Sequence, residues 1–251
     1  MAKGSTPSPK RPAGPKHAVD AGTKEIDDAS SMAEPDFPIV GIGCSAGGLE
    51  ALDALLGGAP ADSGMAFVIV QHLDPHHVSN LPELLQRATP MPVFEAGERM
   101  LVRPGCVYVI PPNKDLSLLN GVLHLLDPTE KRGLRLPIDF FLRTLADDCQ
   151  HRAIGVILSG MGSDGMLGLG AIKEKGGLTL AQEPADARAD SMPGSAIEAG
   201  VVDIVAPAGE LVARIVSYLR HAPTYRPPEA KPELDTQSAL ERIVVLLRNR
   251  S

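Results

Sequence analysis

Three short segments carry side chains suited to hydrolysis at an acyl carbon. In the first, Gly43-Cys44-Ser45-Ala46-Gly47-Gly48, small residues flank a serine where an apolar strand passes into a helix. Read as G-x-S-x-G, the pattern predicts a strained turn that lifts the Ser45 hydroxyl clear of a sheet, with helix-terminal N–H groups close by for an oxyanion. Read from Gly41 to Ala46 as G-x-G-x-x-A, it is also a dinucleotide fingerprint, whose glycines let a pyrophosphate approach a helix N-terminus. A tight βα turn without chemistry fits the same residues. The end of the next strand discriminates: a nicotinamide site wants Asp or Glu there, about twenty residues on, to hold the ribose hydroxyls, and this chain has Gln71-His72.

His72 is the second feature. It ends the run Ala66 to Gln71, at the edge of a parallel sheet where sites assemble, and a general base belongs there. A structural histidine is the bland alternative. A metal is disfavoured, although Asp74, His76 and His77 lie close by: the run is broken by Pro75, it lacks H-E-x-x-H spacing, and no Cys or Glu cluster completes a shell. The third is Leu158-Ser159-Gly160-Met161-Gly162-Ser163-Asp164-Gly165, a glycine-rich loop between strand and helix. Asp164 could cap the helix that follows, and without the Lys of G-x-x-x-x-G-K-[ST] the loop is a poor phosphate cradle. Ser45, His72 and Asp164 thus each follow a different strand on one edge of one sheet. That coincidence favours a Ser-His-Asp triad, in a chain order different from that of the α/β-hydrolases.

The elements that must position these groups are legible as alternating strand-like and helix-like runs. Strands are predicted over Pro38–Gly43, Ala66–Gln71, Val107–Ile110, Ala153–Leu158, Leu178–Ala181 and Val202–Val205. Helices are predicted from near Leu49, over Pro137–Asp148, Gly165–Lys175, Met192–Ala199 and Glu210–Leu219. Leu116–Leu119 and Val122–Leu126 flank Asn120-Gly121, a strong hairpin signal. The fold class expected is α/β: a doubly wound, mostly parallel sheet, made mixed by an antiparallel β-hairpin, with helices on both faces.

Composition agrees. The chain has 251 residues, 43% hydrophobic but only 3% aromatic and without Trp, so its core must be built from Ala, Val, Leu and Ile. A net charge of −7 supplies no basic field, which argues against a nucleic-acid partner. Three widely spaced cysteines argue against a disulfide framework. With neither a secretory signal nor an apolar run of roughly eighteen residues, no membrane insertion and a cytoplasmic location are expected. Residues 1–36, rich in Pro, Ser, Ala, Gly and Lys, read as a disordered tail, 37–221 as the catalytic domain, 222–236 as a Pro-rich linker, and 237–251 as an amphipathic helix without a partner on this chain.

Taken in register, these segments resemble the catalytic domain of the CheB family, the chemotaxis protein-glutamate methylesterases. The resemblance runs from about Phe37 to His221. It rests on Ile42-Gly43-Cys44-Ser45-Ala46-Gly47-Gly48, Val70-Gln71-His72, Val109-Ile110-Pro111-Pro112, Ser159-Gly160-Met161-Gly162-Ser163-Asp164-Gly165, Met192-Pro193-Gly194-Ser195-Ala196 and Ala199-Gly200-Val201-Val202-Asp203. It implies hydrolysis of glutamate methyl esters on the cytoplasmic helices of chemoreceptors, in some members with deamidation of glutamines, and no cofactor or metal. The family's catalytic set falls on Ser45, His72 and Asp164, and its oxyanion contact on the backbone at Met161; elbow geometry adds the N–H of Ala46. The chain departs from the family in having no room for a receiver domain ahead of residue 37. The run after His72 is similar to that of fusions with a methyltransferase, and the last helix looks like the start of such a domain. A non-catalytic module that binds a receptor or a methyltransferase is the rival reading.

Overall fold

The computed structural model describes residues 36–72, 80–128 and 135–221, together with Met1. The linker and C-terminal helix, all but the ends of the tail, and Asp74, His76 and His77 lie outside the described residues. In chain order the elements are β1 (Ile39–Cys44), α1 (Gly48–Gly57), β2 (Ala66–Gln71), α2 (Leu81–Leu85), β3 (Val93–Glu95), β4 (Met100–Leu101), β5 (Val107–Val109), β6 (Asp115–Leu119), β7 (Val122–Leu126), α3 (Pro137–Cys149), β8 (Ala153–Ile157), α4 (Met166–Glu174), β9 (Leu178–Gln182), α5 (Ser191–Glu198), β10 (Ile204–Ala206) and α6 (Ala208–His221). The sequence reading finds the long elements to within a few residues and misses α2, β3 and β4. These span five, three and two residues, too few to show a period.

Seven strands form one sheet in the order β10-β9-β8-β1-β2-β5-β3, and every pairing in it is parallel. The hairpin does not make this sheet mixed, as the sequence suggested. It joins β4 in a separate antiparallel sheet, β4-β7-β6. Its turn is as expected, with Asn120 and Gly121 both at positive φ (52° and 72°), the demand of a two-residue primed turn. What removes it from the main sheet is packing on α3. Leu116, Leu118 and Leu123 are buried with the α3 side chains, the Leu118 N–H donates to Thr144 Oγ1 (3.0 Å), and the Asn120 and Gly121 N–H groups donate to the Asp148 carboxylate.

Helices cover the main sheet on both faces. Val40, Ile42, Phe67, Ile69, Val156 and Leu180 meet α1, α2 and α6 on one side. Ile39, Val68, Val70 and Ile157 meet α3, α4 and α5 on the other. Strands buried on both faces read as unbroken apolar runs, which is why β1 and β2 are so plain in the sequence. From β1 the chain winds outward to β2, and it later returns to β8 on β1's other flank. The carboxyl ends of β1 and β8 therefore flank the topological switch point, where an α/β sheet opens a crevice.

The glycines of β1 have a purpose that neither motif reading foresaw. Gly41 and Gly155 are register partners on β1 and β8. A Cβ on Gly41 would lie 2.7 Å from Leu142 and Leu145, and one on Gly155 would lie 2.5 Å from Leu169. A Cβ on Gly43 would lie 2.3 Å from Ile138 Cγ2. Together they form a trough into which α3 and α4 sink, bringing the start of α3 down to the carboxyl edge. Gly43→Ala is expected to overpack this contact and cost about 1–3 kcal/mol. Urea unfolding measures the cost, and an unchanged midpoint would show that α3 can lift away freely.

Candidate active site

Cys44 and Gln71 are the last registered pair of β1 and β2, so Ser45 and His72 each stand one residue beyond it on neighbouring strands, whose backbones run about 5 Å apart. The Ser45 backbone still belongs to the sheet. Its N–H donates to the Ser159 carbonyl at 3.0 Å, continuing the ladder in which Leu158 N–H donates to Gly43 O at 2.9 Å. Alternation then separates two adjacent nucleophilic residues. Cys44 points into the α1 side and is fully buried, and desolvation pushes its thiol up to about 12. Ser45, half-buried, belongs to the opposite side, where the start of α3 lies.

The predicted strained elbow is absent: Ser45 is not among the residues at positive φ. The left-handed residue is Gly47 (φ 72°, ψ 8°), which is also the N-cap of α1. With Gly48 N–H donating to Ser45 O at 2.9 Å, Gly47 has the dihedrals of the third residue of a type II turn. The turn is tied from beneath by Ser159, fully buried, whose hydroxyl donates to Ala46 O (2.8 Å) and accepts from Ala189 N–H (2.9 Å). A Cβ on Gly47 would lie 2.6 Å from Arg188 Cβ and 2.7 Å from Ser159 Oγ, and one on Gly160 would lie 2.5 Å from Met192 Sδ and 3.1 Å from Ser45 Cβ. The serine is therefore fixed by close packing.

His72 and Asp164 meet directly, with His72 Nε2 3.0 Å from Asp164 Oδ2. Asp164 is 3% exposed and His72 35%, so one partner is sunk in the protein and the other faces the opening. The alternative reading of Asp164, as cap of its own helix, does not hold. Gly165 is the N-cap of α4, while the Asp164 carboxylate accepts N–H bonds from Ile138 (3.1 Å) and Asp139 (2.9 Å), in the first turn of α3. The positive end of α3 thus stabilises the buried anion, and that anion in turn orients His72 through Nε2. The remaining ring nitrogen, Nδ1, is left for proton transfer.

Around the serine two amides are available. The N–H groups flanking Met161 are both engaged: Gly160 N–H donates to Ala189 O (3.0 Å) and Gly162 N–H to Ser191 Oγ (3.1 Å). Among the described residues neither the Met161 N–H nor the Ala46 N–H has an acceptor, and both residues are exposed. The Ser45 hydroxyl likewise has no hydrogen-bond partner among the described residues. Three residues that hold the site escaped the sequence reading of single side chains: Ser159, Gln182, whose Oε1 accepts from Ser159 N–H at 2.8 Å, and Asp139, whose Oδ1 accepts from Gly168 N–H at 2.7 Å. Only their place in quoted or neighbouring segments could have signalled them. Among the described residues no cluster of three or more His, Cys, Asp or Glu side chains could hold a metal ion, and no helix is long and apolar enough to cross a membrane.

The family model for CheB methylesterase matches residues 40–215. A Burkholderia lata protein named protein-glutamate methylesterase/protein-glutamine glutaminase 2 is 40% identical over 187 residues, which cover 72% of this chain and 55% of that protein. A Mesorhizobium japonicum protein named protein-glutamate methylesterase/protein-glutamine glutaminase is 36% identical over 200 residues, covering 78% of this chain and 59% of that protein. The chain thus spans a little over half the length of these curated relatives. The crystal structure of the Thermotoga maritima CheB methylesterase catalytic domain matches with a TM-score of 0.67 and 32% identity, over 72% of this chain and 98% of that one. With a parallel sheet whose neighbouring strands lead into Ser45 and His72, a His72–Asp164 pair, and a family match over residues 40–215, the chain belongs to the CheB methylesterase family.

Proposed function

We propose that the chain is a serine hydrolase that removes methyl groups from glutamyl methyl esters on the cytoplasmic helices of chemoreceptors. The observation that carries this reading is the 3.0 Å His72–Asp164 pair, with His72 following β2 at the same level at which Ser45 follows the neighbouring β1. The names of the relatives supply the substrate class, glutamate methyl ester, and a second activity on glutamine side chains.

In this mechanism Ser45 Oγ adds to the ester carbonyl carbon while its proton passes to His72 Nδ1, the Ser45–His72 hydrogen bond closing as substrate enters. Asp164 holds the imidazole by Nε2 and stabilises the imidazolium. The N–H groups of Ala46 and Met161 receive the oxyanion; one such donor is worth about a hundredfold to a thousandfold in rate. Methoxide leaves with the His72 proton as methanol. Water, deprotonated by His72, then attacks the acyl-serine and releases the glutamate carboxylate and Ser45. A glutamine side chain on the same path releases ammonia. Every step uses protein groups and water. The three free cysteines and the receptor helices as substrate accord with work in the cytoplasm.

Ser45→Ala is expected to lower methanol release from methylated receptor by about a thousandfold or more, and a fluorophosphonate probe should label Ser45 in the folded wild type. Equal release by the variant would remove Ser45 from this role, and an unlabelled Ser45 would favour the binding module. Asp164→Asn should reduce kcat by about a thousandfold to ten-thousandfold through loss of the correct tautomer; rates near wild type, with the fold checked by circular dichroism, would show that His72 needs no carboxylate. Iodoacetamide at pH 8 should leave Cys44 unmodified until the protein is denatured, whereas rapid labelling in the folded state would make Cys44 the competing nucleophile.

A further inference from the structure

Neither α3 nor α4 has a side-chain cap of its own: Leu136 precedes α3 and Gly165 precedes α4, and neither caps by side chain. The first amides of both helices would be orphaned on sequence grounds. Each helix is instead served by a carboxylate from the other. Asp164, two residues ahead of α4, accepts from Ile138 and Asp139 in α3, and Asp139, in the first turn of α3, accepts from Gly168 in α4. Both carboxylates are buried, 4% exposed for Asp139 and 3% for Asp164. The helices touch backbone to backbone at this point, for a Cβ on Gly168 would lie 2.5 Å from Leu142 Cβ and 3.2 Å from Asp139 Cα.

We propose that Asp139 is a positioning residue of the site, a second buried carboxylate behind Asp164 that pins the start of α4 and so fixes the geometry of the Asp164–His72 pair. The proposal rests on the reading of Ser45, His72 and Asp164 as the hydrolytic set. Asp164 lies on the short loop entering α4, so slack in the first turn of α4 becomes displacement of the carboxylate that orients His72. A shift of about 1 Å in such a group is enough to cost about a hundredfold in rate.

The electrostatics are also specific. Burial, above all, pushes the Asp139 carboxyl up to about 6; the Asp164 charge adds to this, while the Gly168 and Gly165 amides and the Arg143 guanidinium act against it. The charged groups facing Asp139 are therefore Asp164, from the loop before α4, and Arg143, from its own helix, with His72 beyond Asp164. Because folded Asp139 holds its proton more tightly than the unfolded chain, its contribution to stability falls as pH rises from about 4 to about 6 and stays low above that. An amide at this position would keep the acceptor for Gly168 and remove the charge.

The test uses the full chain and its Asp139→Asn and Asp139→Ala variants. The readouts are the rate at which a fluorophosphonate labels Ser45, and kcat and KM on methylated receptor. Asp139→Asn is expected to fold, to match or exceed the wild-type Tm at pH 7.5, and to keep the labelling rate and kcat within about threefold of wild type, since its amide oxygen still accepts from the Gly168 N–H. Asp139→Ala should lower kcat about tenfold or more, with KM within about twofold. An Asp139→Ala variant with wild-type kcat and labelling overturns the proposal, as does an Asp139→Asn variant that loses as much as Asp139→Ala; should Asp139→Ala fail to fold, Asp139→Glu, its acceptor displaced by one methylene, decides by the same labelling rate. Labelling needs no receptor, so slower labelling in Asp139→Ala of a protein whose wild type releases no methanol would uphold the role of Asp139 and sink the proposed substrate instead.

Discussion

The anion of Asp164 is the interaction on which the site depends. A carboxylate that is 3% exposed needs compensation for lost hydration, and it receives it from two amides at the positive end of α3 and from His72. The carboxylate itself sits at the entry to α4, and its partners come from the start of α3 and from the end of β2. Satisfying one buried charge therefore brings together two helices and a strand, and the histidine inherits its orientation from that requirement. Placing the acid at a helix terminus also leaves it free of any need for a neighbouring lysine or arginine, which would compete with His72 for its oxygens.

For α3 to deliver its amides at the sheet edge it must lie close on β1 and β8, and Gly41, Gly43 and Gly155 provide the room. The glycines that give β1 its nucleotide-like fingerprint are used for helix-to-sheet contact. The turn glycines behave differently. Gly47 is there for its left-handed backbone and, with Gly160, for the absence of a side chain against Ser159, Arg188, Met192 and Ser45. One short motif thus answers two separate constraints, on packing and on turn geometry.

The serine is held without backbone strain of its own. Ser45 keeps one sheet hydrogen bond to Ser159, and the Ser159 hydroxyl reaches under the turn to Ala46 and Ala189. Rigidity of this kind costs nothing in strain energy and places the hydroxyl at a defined height above the sheet edge. Strand alternation completes the selection between neighbours, since burial that silences the Cys44 thiol follows from the same pleat that turns Ser45 the other way.

The sequence by itself determined much of this molecule. Unbroken apolar runs marked β1, β2 and β8 because strands buried on both faces need no polar alternation. Asn120-Gly121 marked the hairpin because few residues tolerate two successive positive φ values, and the segments following three strands marked Ser45, His72 and Asp164 as candidates, of which the structure pairs His72 with Asp164. Only the tertiary structure decided that the hairpin packs on α3 in a sheet of its own, that Asp164 serves α3 and not the helix it precedes, and that Ser45 sits in an unstrained turn. It also brought Asp139, Ser159 and Gln182 into the site. The reason is physical: periodicity and turn chemistry are written in residues a few positions apart, whereas the partners of a buried carboxylate or hydroxyl are chosen by packing between segments that lie 25 to 30 residues apart, as for Asp164 with Asp139 and Ser159 with Ala189, or 113 apart, as for Ser159 with Ala46.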